Sequence, residues 1–188
     1  MTGQAAARIF QPRAAVTRES GVGPAAIGGL MRHFFHAAIA VTLVAGTIAP
    51  AAAAPADDAT MAVTTALDKF NAGDVNAFIA AHRDGAVIID EFAPYSWSGS
   101  GSAKSWIDSY AKDAAARGIS DGRVDYAQPI QANSVGTSAY IVLPTIYSFK
   151  QSGKAMAGKG SMTFVMVKAG QDWKVTSWTY SGATPTPR

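Results

Sequence analysis

Two side chains in the body of this chain have the chemistry to move a proton near neutral pH, Asp90 and His82. Asp90 follows the apolar run Ala86-Val87-Ile88-Ile89, which reads as a strand. Strand alternation places Ala86, Ile88, Asp90 and Phe92 on one face and Val87, Ile89 and Glu91 on the other. With the first set turned inward, Asp90 is a carboxylate in an apolar hole. Desolvation then raises its pKa and makes it a usable general base. Two structural roles compete with that one: a cap for the loop before Pro94, or an acceptor for Tyr95 or Trp97. His82 falls on the same helical stripe as Val75, Phe78 and Ile79. It is either a satisfied core group or a partner for Asp90 across a cavity floor. An acid–base pair of that kind supports a dehydration or an epimerisation. One histidine and one aspartate are too few for a metal site.

Aromatic and sulfur-bearing side chains are the candidates for lining such a cavity. Trp178 and Tyr180 share one strand face, as do Met162 and Phe164. Tyr95, Trp97, Trp106, Tyr126 and Tyr147 complete the set. Ordinary core packing is the alternative for most of them, although indole and phenol tips need polar partners when buried. Other chemistries are excluded. There is no cysteine, hence no disulfide, thiolate metal site or cysteine nucleophile. Gly99-Ser100-Gly101 lacks the Gly-Lys-Ser/Thr ending of a phosphate loop. No Ser-His-Asp arrangement is readable, and no motif calls for a cofactor.

The elements that must position these residues follow from periodicity. Val63, Ala66, Leu67 and Phe70 make one apolar stripe of a helix over about 58–72. Gly73 suits the left-handed position past its end, and Asp74 suits the N-cap of a second helix over 75–82. A strand over 86–92 and a loop over 94–101 follow. A third helix over 102–117 carries Ala103, Trp106, Ile107, Tyr110 and Ala114 on one face. The rest reads as strands near 122–131, 137–150, 155–169 and 172–181, with turns at Gln151-Ser152-Gly153 and Ala169-Gly170-Gln171-Asp172. Pro144 predicts a bulge or an edge. The tail over 183–188, with two prolines, should be loose. Helices first and antiparallel strands after them give an α+β class.

Over residues 60–182 this order resembles the NTF2-like (SnoaL-like, ketosteroid-isomerase-like) superfamily. The run Asn71-Ala72-Gly73-Asp74 is similar to the link between the first two helices of ketosteroid isomerases. Trp97-x-Gly99 is similar to the aromatic-x-glycine before the third helix, and Trp173-Lys174-Val175 opens a last strand in the same way. The resemblance implies an α+β cone, with three N-terminal helices packed in a strongly bent mixed or antiparallel β-sheet. It also implies that Asp90 stands where that family keeps its general base. An isomerase of this kind needs donors for an enolate oxygen as well. In ketosteroid isomerases those donors are a tyrosine and a protonated aspartate. Here Ala66 stands at the position matching the tyrosine, and Ser161-Met162-Thr163 offers no acid at the other. A steroid isomerase is therefore not expected.

The 188 residues fit one domain behind a leader. Residues 1–30 have no period that would bury a face, and read as an over-extended start. Met31-Arg32-His33, the apolar stretch Ala37 to Ala49 and the small residues to Ala56 are the three parts of a signal peptide over 31–56. The domain is then 57–182 and the expected destination periplasmic or secreted, with no stable membrane anchor after cleavage. The leader takes four of sixteen basic residues and one of thirteen acids, leaving twelve of each. A neutral domain carries no electrostatic footprint for nucleic acid. The expected activity is binding of a small, largely apolar molecule in the cone. The alternatives are a lyase or isomerase using Asp90, and a non-catalytic module that forms a homodimer through its sheet.

Overall fold

A computed structural model describes residues 55–188. The over-extended start and residues 31–54 of the expected leader lie outside the described residues, while Pro55 and Ala56, its expected last two residues, are helical. Helix α1 spans Pro55–Asn71 and α2 spans Val75–Ala80. Strands β1 (His82–Ile89) and β2 (Ser96–Gly99) come next, then α3 (Ser102–Ala116). The rest is strand: β3 (Ile119–Tyr126), β4 (Gln131–Val135), β5 (Ser138–Gln151), β6 (Lys154–Ala169), β7 (Asp172–Gly182) and β8 (Thr186–Pro187).

The link between α1 and α2 is built from local chemistry. Gly73 takes φ 77°, and its N–H reaches Phe70 O while the Asp74 N–H reaches Lys69 O, both at 2.9 Å. This is the Schellman pattern that closes a helix on a left-handed residue. Asp74 then caps α2 by accepting from the Ala77 N–H at 3.1 Å. Asn71 reaches much further. Its Nδ2 donates to Val124 O at 2.8 Å and its Oδ1 accepts from the Val124 N–H at 2.9 Å. Both free backbone groups of an outer-strand residue are thus satisfied by one amide.

The sheet order is β2-β1-β7-β6-β5-β3, with β4 also on β5 and β8 also on β6. Only β1 and β7 pair in parallel, so the sheet is mixed. Helix α1 packs on β3, β4, β5 and β7, and α3 packs on β1, β2 and β3. The core between helices and sheet is centred on Val63, Leu67, Ile88, Ile141, Leu143, Met166 and Val175, all essentially solvent-free. On the opposite face Val87, Val165 and Tyr140 stay exposed in one row across the sheet, through Ser177 of β7. Among the described residues no helix is long and apolar enough to cross a membrane.

The structure departs from expectation in four places. His82 is the first residue of β1, paired with Val175, because α2 ends two residues earlier. The expected loop over 94–101 contains β2. The third helix, α3, follows the strand over 86–92 as its place in the sequence predicts, so α1 and α2 alone precede the sheet. Pro144 causes neither a bulge nor an edge against β6, whose register runs unbroken through Pro144↔Ser161. Its carbonyl accepts from the Ala127 N–H at 3.0 Å, so its missing donor points to that same side. There the partner chain is leaving the ladder, between Tyr126↔Thr145 of β3 and Gln131↔Val142 of β4. The tail is not loose either. The Ala183 N–H donates to Lys159 O at 2.8 Å, Thr186 and Pro187 pair with Ala157 and Met156, and the Arg188 N–H donates to Ala155 O at 3.0 Å. A proline is tolerated there because the strand is an edge.

Candidate functional site

Strand β1 delivers Asp90 to the space between helices and sheet. Ala86 and Ile88 are buried while Val87 and Ile89 are exposed, so the inward set is the one that continues to Asp90. A cavity of about 370 Å³ opens beside it. Its wall combines Phe70 of α1, Phe78 of α2, Trp106 and Tyr110 of α3, Tyr147 and Phe149 of β5, Met162 of β6, and Trp178 and Tyr180 of β7. The tail supplies the remaining side through Gly182 to Pro185.

The Asp90 carboxylate is held at both oxygens. Oδ1 accepts from the Glu91 N–H at 2.7 Å, and Oδ2 accepts from the Trp106 indole N–H at 2.9 Å. Its own N–H donates to Tyr95 O at 3.1 Å, closing the turn before β2. The loop cap is therefore real, but the side-chain donor is Trp106 rather than Tyr95 or Trp97. Burial raises the Asp90 pKa to about 6, against the two hydrogen bonds that favour its charge; the carboxylates of Glu91 and Asp113 add to the rise.

His82 takes a different place from the one expected. Indole nitrogen can only donate, so the Trp178 Nε1–H donates to His82 Nε2 at 2.9 Å. The proton of the ring then sits on Nδ1, which donates to Phe78 O at 2.8 Å. Burial, partly offset by that carbonyl, lowers its pKa to about 4. His82 is neutral, satisfied on both nitrogens and absent from the cavity wall. It does not meet Asp90. It aims Trp178, whose ring meets Trp106 edge-on at 5.0 Å and 85°, and Trp106 in turn holds Asp90.

Across the cavity the hydroxyls of Tyr110 and Tyr147 bond to each other at 2.7 Å. Burial holds Tyr110 well above the ordinary phenol range and raises Tyr147 to about 12, so both remain protonated. Gly122 makes room for them: a Cβ there would lie 2.6 Å from Tyr110 Oη and 3.2 Å from Tyr147 Oη. Tyr180, raised to about 12 by burial and then by Glu91 and Asp90, rests its ring against Gly160 and Gly182. Glu91 closes the strap by accepting from the Gly182 N–H at 2.6 Å.

Of the expected lining residues, Trp106, Tyr147, Met162, Trp178 and Tyr180 lie on the cavity wall. Tyr95, Trp97, Tyr126 and Phe164 do not. Tyr95 is 61% exposed at φ 73°, Trp97 is buried with its indole on Ser109 Oγ at 3.1 Å, Tyr126 donates to Asp68 at 2.9 Å, and Phe164 is core. Sequence reasoning does not single out Tyr110, Glu91, Asp113 or Arg117 for the wall, yet all four line it, as does Phe92 of the inward set. A glycine inside the β3 pattern, Gly122, is the available signal for a close approach to Tyr110. Among the described residues no three histidine, aspartate or glutamate side chains are grouped to hold a metal ion.

A mixed sheet with helices packed on it and a pocket between them is consistent with the NTF2-like cone. Solved structures with this fold include a ketosteroid isomerase-like protein from Erwinia carotovora atroseptica. It has 17% identity and a TM-score of 0.54, and the match covers 69% of this chain and 96% of that one. A hexachlorocyclohexane dehydrochlorinase of type 2 matches at 10% identity and TM-score 0.54, over 70% of this chain and 85% of that one. An NTF2-like protein of unknown function from Pseudomonas putida matches at 14% and 0.53, over 66% and 84%. At these identities the likeness concerns the fold. No curated protein matches the chain in sequence. The SnoaL-like domain family matches residues 60–185, and the chain belongs to that family.

Proposed function

We propose that this chain is an exported SnoaL-like domain that binds a small, largely apolar molecule in its cone. The observation that carries this reading is the aromatic cavity of about 370 Å³ with a buried carboxyl on its wall. Pockets for small ligands have this make-up, mostly apolar with a few placed polar groups, at roughly 300–1,000 Å³. Export rests on the basic, apolar and small-residue order of 31–56. Native mass spectrometry of the purified full chain tests binding by looking for a co-purified molecule. Adding that molecule at about a hundred times its Kd should stabilise the fold by about 2.7 kcal/mol. An empty protein that no candidate stabilises would end the proposal. N-terminal sequencing of protein recovered outside the cytoplasm tests export.

A second reading has one specific support. A carboxyl with pKa near 6, facing phenols that stay protonated, is matched to taking a proton from carbon and holding the oxygen that gains charge. The proposed activity is then a lyase or isomerase with Asp90 as base. Asp90→Asn turning over a candidate substrate as fast as the parent protein would remove it.

A further inference from the structure

The charges on the cavity wall do not balance. Asp90, Glu91 and Asp113 contribute three carboxylates against one cation, Arg117. Arg117 Nη1 is already paired with Asp113 Oδ2 at 3.0 Å. Among the described residues no ion pair includes Asp90 or Glu91. The hydrogen bonds that reach Asp90 are one N–H on each oxygen, from Glu91 and Trp106, and Glu91 Oε1 takes the Gly182 N–H. An ionised carboxylate accepts at about four sites, so acceptor capacity remains on both residues.

The wall beside Asp90 is built of ring systems, with Glu91 at its exposed rim. Trp106 and Tyr110 stack at 5.4 Å, and Phe92 lies 6.5 Å from Trp106 and 6.2 Å from Tyr110. Trp178 closes edge-on against Trp106. Aromatic faces carry the negative end of a quadrupole and attract cations, most strongly where water is excluded. Each class of occupant meets this wall differently. An anion is repelled by two uncompensated carboxylates. A neutral molecule leaves the half-buried Asp90 without a counter-charge, while Glu91 at the exposed rim keeps its hydration. A protonated amine supplies the missing charge and N–H donors together, while its apolar body replaces water against the rings.

Resting on the binding reading above, we infer that the cavity takes a small organic cation: a protonated amine beside Asp90 and Glu91, with an aryl or alkyl body among Phe78, Trp106 and Trp178. The pH dependence follows from the groups that face Asp90. Glu91 lies on its own segment, Asp113 comes from α3, and Tyr110, Tyr147 and Tyr180 come from α3, β5 and β7. The three phenols stay protonated throughout the acid range, so Asp90 is the group on the wall that loses its charge as pH falls through about 6. A bound ammonium favours the ionised form, and amine affinity drops below that pH by up to about tenfold per pH unit. A neutral ligand shows no such fall.

The test uses the full chain, isothermal calorimetry and three probes of nearly equal shape: 2-phenylethylamine, 2-phenylethanol and 3-phenylpropionate. At pH 7.5 the amine should bind at least tenfold tighter than the alcohol, and the acid weakest. The amine-to-alcohol ratio should shrink towards one between pH 7 and pH 5. It should also collapse in Glu91→Gln and Asp90→Asn proteins that retain the parental circular dichroism. Should either variant fail to fold, the pH profile of the parent protein decides. Equal affinities for amine and alcohol, or a ratio indifferent to pH, overturn the cation while leaving the pocket reading intact. If none of the three binds, the exact mass of the co-purified molecule decides: an amine supports the inference and a neutral or acidic molecule refutes it. No probe and no co-purified molecule refute both readings.

Discussion

Two buried titrating groups act on stability in opposite directions over the same pH range, and removing one should expose the other. His82 titrates at about 4 in the fold against 6.5 in an unfolded chain. Below 6.5 the unfolded chain takes up a proton that the native site refuses. Stability therefore falls with pH until about 4, by about 3 kcal/mol at ~1.36 kcal/mol per pH unit. Asp90 titrates at about 6 in the fold against 3.8 unfolded. Below 6 the native carboxyl takes up a proton first, so stability rises until 3.8, again by about 3 kcal/mol. In the parent protein the two effects nearly cancel between pH 7 and pH 4. The acid loss from carboxylates such as Asp84, whose pKa is lowered from 3.8 by the Gly101 N–H and Ser100 hydroxyl, comes below that window. Asp90→Asn deletes the compensating rise. Urea unfolding followed by circular dichroism at pH 7, 6, 5 and 4 should show the variant losing about 3 kcal/mol more than the parent across that range. A His82→Asn protein should show the opposite, losing less on acidification than the parent. Constant offsets from the substitutions drop out, because only the slopes are compared. Parallel profiles for parent and Asp90→Asn would refute the burial argument for Asp90.

Other consequences can be checked singly. Gly122→Ala places a Cβ 2.6 Å from Tyr110 Oη, in a ring packed on Trp106 and Phe70. The Tyr110–Tyr147 bond should break and a phenol move into the cavity, costing about 1–3 kcal/mol in urea unfolding. Asn71→Ala removes both partners of the Val124 backbone and should cost about 1–3 kcal/mol, with amide exchange rising first along β3. A variant ending at Gly182 loses the strap that lines the cavity and the β8 pairing. It should keep the circular dichroism of the sheet while any ligand of the cavity dissociates faster.

What can be read from sequence is what local chemistry dictates. Gly73 and Asp74 act within five residues of themselves, so the helix link is legible down to its cap. Alternation along Ala86 to Ile89 gives the inward side of Asp90 because one face of that strand is buried. Contacts across the chain leave no such trace. The Trp106 indole reaches Asp90 from sixteen residues away, and Asn71 reaches Val124 from fifty-three. Helical spacing of Phe78, Ile79 and His82 assigns the histidine to the stripe of the second helix. The chain leaves the helix after Ala80, and the same residue then faces inward from a strand. Tyr110 is legible only as one position of a stripe: a period gives the buried face of a helix but not how deep each side chain sits. Composition misleads at the tail, because prolines that exclude a central strand do not exclude an edge.

The placement of the indoles has an optical consequence. The chain has four tryptophans. Trp106 and Trp178 form part of the cavity wall, whereas Trp97 and Trp173 are buried away from it. Any occupant changes the surroundings of the first two emitters and leaves the others as a steady background. The Trp106 N–H also lies on the Asp90 carboxylate, so the emission of the empty protein should itself titrate near pH 6. The molecule carries its own reporter, for both the filling of the pocket and the charge on its wall, with no label attached.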